Sequence, residues 1–293
     1  MAEFIISAFA DEAGNTPEEQ IAALIENGIH YIEPRSFNKK GVLSLSDEEL
    51  IEIKKALDKA SINVNSLGSP IGKYPINEPF EKHLAEFERA IEVCKILKTD
   101  NMRIFSFYIP KEDSPSKYAE EVIRRMTRLS EIAKENRITL NHENEKDIFG
   151  QNPSEVDYLV KNLPDVKFIF DGANYRMSGC DVHAGMSAII DKFGYFHIKD
   201  AIFDTQTIVP IGEGEACYED MIRKVDEVVD GPVFMTLEPH LHVFDAFKKI
   251  DNTELRGKYS FSSNIEAFKF AANSLKKMLT SLGYHEENGV WKK

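Results

Sequence analysis

Short apolar runs alternate with longer amphipathic stretches from one end of this chain to the other, and few folds accommodate that alternation. The runs lie at about residues 4–9, 29–33, 62–67, 102–107, 138–143, 166–171, 194–197 and 233–238. Each is rich in β-branched and aromatic side chains and gives way to turn residues, so each predicts a buried strand. The stretches between them predict helices. Thr16-Pro17-Glu18-Glu19 opens the first with a capping box and a proline at the first helical position; Ile21, Leu24 and Ile25 form its apolar face, and Gly28 ends it. Ser46-Asp47-Glu48-Glu49 opens the second, which runs to about Ala60. Further helices are predicted at about 79–97, 117–136, 153–162, 184–192, 218–229 and 264–279. Eight β–α units in 293 residues predict a (β/α)8 TIM barrel, with residues 1–293 as a single domain. A doubly wound open sheet is the alternative, but Phe9-Ala10-Asp11-Glu12-Ala13-Gly14 lacks the glycine-rich dinucleotide fingerprint expected after its first strand. Residues at about 239–262 show no periodicity and predict a long loop after the eighth strand, a length that is often functional. Residues at about 283–293 read as a polar tail carrying the single tryptophan, Trp291.

The last four runs each end in a metal-type ligand. They read Ile138-Thr139-Leu140-Asn141-His142-Glu143, Val166-Lys167-Phe168-Ile169-Phe170-Asp171, Gly194-Tyr195-Phe196-His197 and Val233-Phe234-Met235-Thr236-Leu237-Glu238. In a parallel barrel the carboxyl ends of the strands are where chemistry is done. Adjacent strands lie about 4.8 Å apart, so four consecutive strand ends can converge on one ion. Two Glu, one Asp and one His, with no thiolate, suit one divalent ion: Mn²⁺, Mg²⁺, Co²⁺ or Zn²⁺.

Composition narrows the partners. A net charge of −13 argues against nucleic acid or an anionic membrane. No apolar run approaches the length of a membrane span, and the N-terminus lacks a signal-peptide pattern. Cys94, Cys180 and Cys217 are scattered, with neither zinc spacing nor a disulfide framework, which fits a reducing cytoplasm. The expected partner is a small molecule; a homo-oligomer is compatible with this reading.

The chain resembles the xylose-isomerase-like barrel family of sugar and sugar-phosphate isomerases and epimerases. The resemblance is carried by Ser7-Ala8-Phe9-Ala10-Asp11-Glu12, Tyr31-Ile32-Glu33-Pro34-Arg35, Gly68-Ser69-Pro70-Ile71-Gly72-Lys73, His142-Glu143-Asn144-Glu145, Asp171-Gly172-Ala173-Asn174, His197-Ile198-Lys199-Asp200 and Leu237-Glu238-Pro239-His240. It implies that Glu143, Asp171, His197 and Glu238 bind the metal, and that Glu143 and Glu238 are the paired acid and base. The related apurinic-site endonucleases carry extra zinc-binding histidines, and the chain has Asn174, Ser66, Ser69 and Phe107 in those regions. The free-ketose 3-epimerases carry polar residues where this chain has Phe149, Asn174 and Phe203, so a substrate would be held differently here.

The expected chemistry begins by making a C–H next to a carbonyl acidic. A divalent ion polarises the carbonyl, one carboxylate removes the proton and another returns it. Return to the same carbon epimerises, return to its neighbour isomerises, and loss of a β-hydroxyl gives a dehydratase on a cyclic polyol or keto-acid. A non-catalytic sugar-binding barrel is a further alternative. Lys199, Asn174, Glu33, Arg35, Lys73 and His240 are candidate substrate-binding residues. Lys199 shares the strand face of His197. Glu33 and Arg35 end the second strand, where a strand-end salt bridge is the competing role. The glycine loop at Lys73 offers backbone N–H groups and one ammonium to an anion, but without further basic groups it is a weak phosphate signal. His240 and His242 follow Glu238. His142 is expected to face the helices, and Gly212-Glu213-Gly214-Glu215 to form a turn.

Overall fold

In the computed structural model, which describes residues 1–241, 259 and 261–293, all eight barrel strands form. They are β1 (Ala2–Ala8), β2 (Tyr31–Ile32), β3 (Asn63–Val64), β4 (Asn101–Ile104), β5 (Thr139–Glu143), β6 (Lys167–Asp171), β7 (Phe193–Ile198) and β8 (Gly231–Leu237). Strands β4, β5, β6, β7, β8 and β1 pair side by side in parallel, and β2 pairs in parallel with β3. Backbone bonds close the ring. Glu33 N donates to Ala8 O at 3.0 Å, joining β2 to β1, and Arg103 N donates to Leu67 O at 2.9 Å, joining the segment after β3 to β4.

Strands β2, β3 and β4 are shorter than their apolar runs. Beyond Ile104 the chain leaves the ladder to bond the loop after β3: Phe105 N donates to Ile71 O at 2.7 Å and Phe107 N to Gly72 O at 2.9 Å. Phe107 also has φ 72°, a left-handed conformation that ends a strand.

The helices are α1 (Pro17–Glu26), α2 (Asp47–Lys59), α3 (Phe80–Leu97), α4 (Ala119–Glu135), α5 (Pro153–Asn162), α6 (Gly172–Met177), α7 (Val182–Ile189), α8 (Tyr218–Val228) and α9 (Asn264–Ser281). Capping boxes form at Thr16/Glu19 and Ser46/Glu49 as the spacing predicts, and a third forms at Asn152/Glu155. On α4, Val122, Met126, Leu129 and Ala133 are buried, one stripe at helical spacing. Helix α6 is an addition to the predicted elements; Asp171 caps it by accepting from Asn174 N at 2.8 Å.

The C-terminal residues are a hairpin rather than a polar tail. Residues His285–Glu287 pair with Val290–Lys292, whose Trp291 and Val290 lie antiparallel to Phe4 and Ile5 of β1. Trp291 is buried, and the turn residues Asn288 and Gly289 both have positive φ. Asn-Gly is a strong hairpin turn signal, and the indole supplies the apolar area that holds the hairpin on the barrel. Most of the predicted loop at 239–262, including His242, lies outside the described residues.

Candidate functional site

The four strand-end candidates come together. Glu143 ends β5, Asp171 ends β6, His197 lies on β7 and Glu238 follows β8. Each offers a ligand atom, and these atoms all lie within 4.8 Å of one another. All four residues are buried. His197 Nδ1 is 3.0 Å from Glu143 Oε1 and 3.6 Å from Glu238 Oε2. By contrast, the residues of the grouping of His183, Cys217 and Asp220 elsewhere on the barrel are all exposed.

Backbone ties hold the strand ends in place. Asn144, next to Glu143, donates from Nδ2 to Asp171 O at 2.9 Å and accepts from Asp171 N at 3.1 Å. Tyr218, the first residue of α8, donates to His197 O at 2.7 Å and accepts from Gly172 N and Lys199 N at 3.2 and 3.3 Å. One phenol thus fixes the ends of β6 and β7. The glycine run 212–215 does more than turn: Gly212 N and Gly214 N donate to Asp200 Oδ2 at 2.9 and 3.1 Å, anchoring the chain after Lys199. A Cβ on Gly214 would sit 2.3 Å from Asp200 Oδ1, so that approach requires glycine.

Basic side chains surround the carboxylates. Lys199 Nζ lies 3.0 Å from Asp171 Oδ2 and 3.3 Å from Glu238 Oε2. Arg35 bridges Glu238, Asp11 and Glu12 at 3.0, 2.9 and 3.1 Å. Arg103 of β4 lies 3.2 Å from Glu143 Oε2 and donates to Gly68 O. Each glutamate therefore turns one oxygen toward His197 and has the other held by an arginine. Phe9 lies beneath both guanidiniums, with ring-centre distances of 4.1 Å to Arg35 and 4.9 Å to Arg103. Arg103 is absent from the residues predicted for the site, although a charged residue inside the run Met102-Arg103-Ile104 is a signal, since arginine is seldom buried unpaired.

The remaining candidates are distributed unevenly. Asn174 Nδ2 donates to Asn144 O at 2.9 Å and lies 3.4 Å from Glu143 Oε1, within the cluster. His240 is at the rim, half-exposed, with its backbone N bonded to Glu12 Oε2 at 2.6 Å and its Nδ1 3.6 Å from Glu238 Oε1. Lys73 pairs with Glu145 at 2.9 Å. The weak anion signal of its loop is not matched by free N–H groups. Gly68 N, Ser69 N and Lys73 N donate to carbonyls of Pro34, Leu67 and Pro70. Ile71 N and Gly72 N donate to Ser69 Oγ and His83 Nε2. Gly72 is there because a Cβ would meet Phe105 O at 2.0 Å. Glu33 is not paired with Arg35. It lies fully buried under the cluster, accepting from Tyr195 OH and from Thr236 Oγ1, each at 2.8 Å, with Oε2 3.4 Å from His197 Nε2. His142 packs outward against Phe168 and meets Ser106 Oγ at 2.7 Å.

The electrostatics fit a cation. Burial raises the Glu143 carboxyl, but the adjacent His197 and Arg103 prevail and hold it at about 2. Burial disfavours the imidazolium of His197, yet Glu143 and Glu33 carry it up to about 10. Burial pushes the Asp171 carboxyl up to about 7; Lys199 opposes the rise, while the carboxylates of Glu238 and Glu143 add to it. Asp171 Oδ2, Glu238 Oε2 and both His197 nitrogens are buried without a hydrogen bond. Apart from the Lys199 ammonium near the two oxygens, these buried polar atoms call for an explanation, and a divalent ion held by the carboxylate oxygens and His197 Nδ1 meets it for all but Nε2.

Comparison with known proteins identifies the fold and the family. A family model described as xylose isomerase-like TIM barrel matches residues 21–253. No curated protein matches the chain in sequence. Among solved structures, the IOLI protein with a bound zinc atom superposes with a TM-score of 0.72 at 15% identity, covering 95% of this chain and 99% of that one. The probable 3-DHS dehydratase AsbF of petrobactin synthesis from Bacillus anthracis gives 0.69 at 15% identity, covering 94% and 99%. The 3-keto-D-glucoside 4-epimerase YcjR from E. coli gives 0.65 at 14% identity, covering 94% and 98%. At such identities the likeness establishes the fold. No helix among the described residues is long and apolar enough to cross a membrane.

Proposed function

The chain belongs to the xylose isomerase-like TIM barrel family, and from that premise we propose that it is a divalent-metal-dependent isomerase or epimerase of a small sugar or sugar phosphate. The observation that carries the reading is the buried convergence of Glu143, Asp171, His197 and Glu238, with ligand atoms within 4.8 Å of one another. These four residues would hold the metal. When bound, it supplies Lewis acidity that makes the C–H beside a carbonyl removable.

The chain's own residues supply the rest. Glu143 and Glu238 move the proton, one as base and the other as acid. They come from strands separated by β6 and β7, so they reach the substrate from different directions. Arg103 and Arg35 fix their orientation, which a general base requires before its pKa matters. Lys199, between Asp171 and Glu238, is placed to steady a substrate oxygen as it gains charge. Asn174 orients Glu143, and Arg35 and His240 line the rim. Proton return to the carbon it left gives epimerisation, and return to its neighbour gives isomerisation.

A dehydratase is the second reading, favoured by the superposition with the probable dehydratase. It shares the first proton removal and diverges when a β-hydroxyl leaves. The test is incubation with Mn²⁺ in D₂O and a panel of ketoses, ketose phosphates and inososes. Solvent deuterium at one carbon of an unchanged formula supports the isomerase or epimerase. Loss of water supports the dehydratase. No exchange with any substrate, in protein shown to hold metal, counts against both.

A further inference from the structure

We propose that Glu33 is a positioning residue that keeps the His197 proton on Nε2 and so presents Nδ1 to the metal. The inference rests on the metal site argued above and deepens it. An imidazole has two nitrogens, and only one faces the other three ligands. Nδ1 is 3.0 Å from Glu143 Oε1 and 3.6 Å from Glu238 Oε2, whereas Nε2 points down the barrel at Glu33 Oε2, 3.4 Å away. A nitrogen that binds metal needs its lone pair free, so the neutral ring must carry its proton on Nε2. An ionised carboxylate only accepts, and at that distance Glu33 favours the Nε2–H tautomer and disfavours the other. Carboxylates serve metal-bound histidines in this way generally.

Glu33 is itself held from two strands. Tyr195 of β7 donates to Oε1 and Thr236 of β8 donates to Oε2, each at 2.8 Å. Thr236 accepts in turn from Asn65 Nδ2 at 3.4 Å, and Asn65 Oδ1 accepts from Ser7 Oγ at 2.6 Å. The imidazole is also wedged edge-on between Phe9 and Tyr195, with ring centroids 5.0 and 5.5 Å away, which opposes a flip that would exchange the two nitrogens. Glu33 is fully buried beneath His197, so it acts through that ring and not on substrate.

The test compares the full-length chain with Glu33→Gln, Thr236→Val and Tyr195→Phe. Zinc affinity is read by chelator competition, and the His197 tautomer by two-bond ¹⁵N–¹H correlation of the zinc-loaded protein. The wild type should show the proton on Nε2 and a metal-shifted Nδ1. Glu33→Gln should lose about 10–100-fold in zinc affinity, as outer-shell changes typically do, and lose the uniform Nε2–H signature. Thr236→Val and Tyr195→Phe, which loosen the carboxylate without removing it, should lose less, and they carry the test if Glu33→Gln does not fold. Zinc bound equally well by all four proteins, binding through Nε2, or lost affinity with the Nε2–H signature intact would overturn the role of Glu33 while leaving the metal site standing. A wild type that takes up no zinc, or that keeps it in His197→Ala, would overturn the metal site and this inference together.

Discussion

The Lys199 ammonium stands 3.0 Å from Asp171 Oδ2, and both side chains are buried. Removing one member of a buried pair leaves the other uncompensated and typically costs about 3–5 kcal/mol. Lys199→Met should therefore lower the thermal midpoint of the metal-stripped protein, and Mn²⁺ should raise that midpoint more in the variant than in the wild type. Equal shifts by calorimetry would show that the ammonium and the ion do not serve the same carboxylates.

One ion per chain is expected, bound by Glu143, Asp171, His197 and Glu238. Replacing His197 or Asp171 by alanine should lower metal content and turnover together. Elemental analysis of the dialysed variants checks this. Full occupancy in His197→Ala would place the metal elsewhere.

Glu143→Gln and Glu238→Gln keep side-chain size and an oxygen donor while removing the basic carboxylate. Metal binding should weaken in part, and turnover should fall roughly 10²–10⁴-fold, the usual contribution of acid–base catalysis. The two should differ in exchange: the variant lacking the abstracting base should stop incorporating solvent deuterium, and the one lacking the returning acid should still exchange. Near-wild-type turnover in both would exclude the paired-carboxylate mechanism.

Acid should loosen the fold through His142. Burial depresses its folded pKa from 6.5 to about 3. The unfolded chain therefore binds a proton that the fold does not. The stability contributed is fully present above pH 6.5 and declines toward pH 3, by up to about 1.4 kcal/mol per pH unit. His83 is shifted in the same direction by burial, and its protonation would break the bond from Gly72 N. In EDTA-treated protein, the loss of urea stability between pH 7 and 5 should be smaller in His142→Gln than in the wild type. Parallel pH profiles would rule out this linkage.

The C-terminal hairpin should matter to the barrel. Trp291 pairs with Phe4 on β1 and is buried. Trp291→Ala should cost about 3–5 kcal/mol, as large aromatic truncations in cores do, without changing zinc affinity, because the hairpin lies against the amino-terminal half of β1. A loss below 1 kcal/mol by urea denaturation would show that the hairpin is an ornament.

Much of this molecule was readable from local pattern. Strand runs, capping boxes at Thr16 and Ser46 and the polar residue that ends each of the last four runs depend on residues near one another in sequence, and period and spacing report them directly. The terminal hairpin was readable in principle through Asn288-Gly289, but its polar composition hid it. Arg103 was hidden because one charge in an apolar run reads as an interruption until Glu143, 40 residues later, is placed opposite it.

The sequence by itself determined the alternation of strands and helices and the chemical nature of the donors at the strand ends. Tertiary structure alone decided their use. Glu33 and Arg35 are two residues apart, yet one lies beneath His197 while the other grips Glu238. The backbone N–H groups beside Lys73 satisfy the neighbouring chain instead of an anion. The physical reason is that burial and orientation set what a charged group does. Both arise when strands distant in sequence close into one ring, and no local spacing encodes which side chain then faces which.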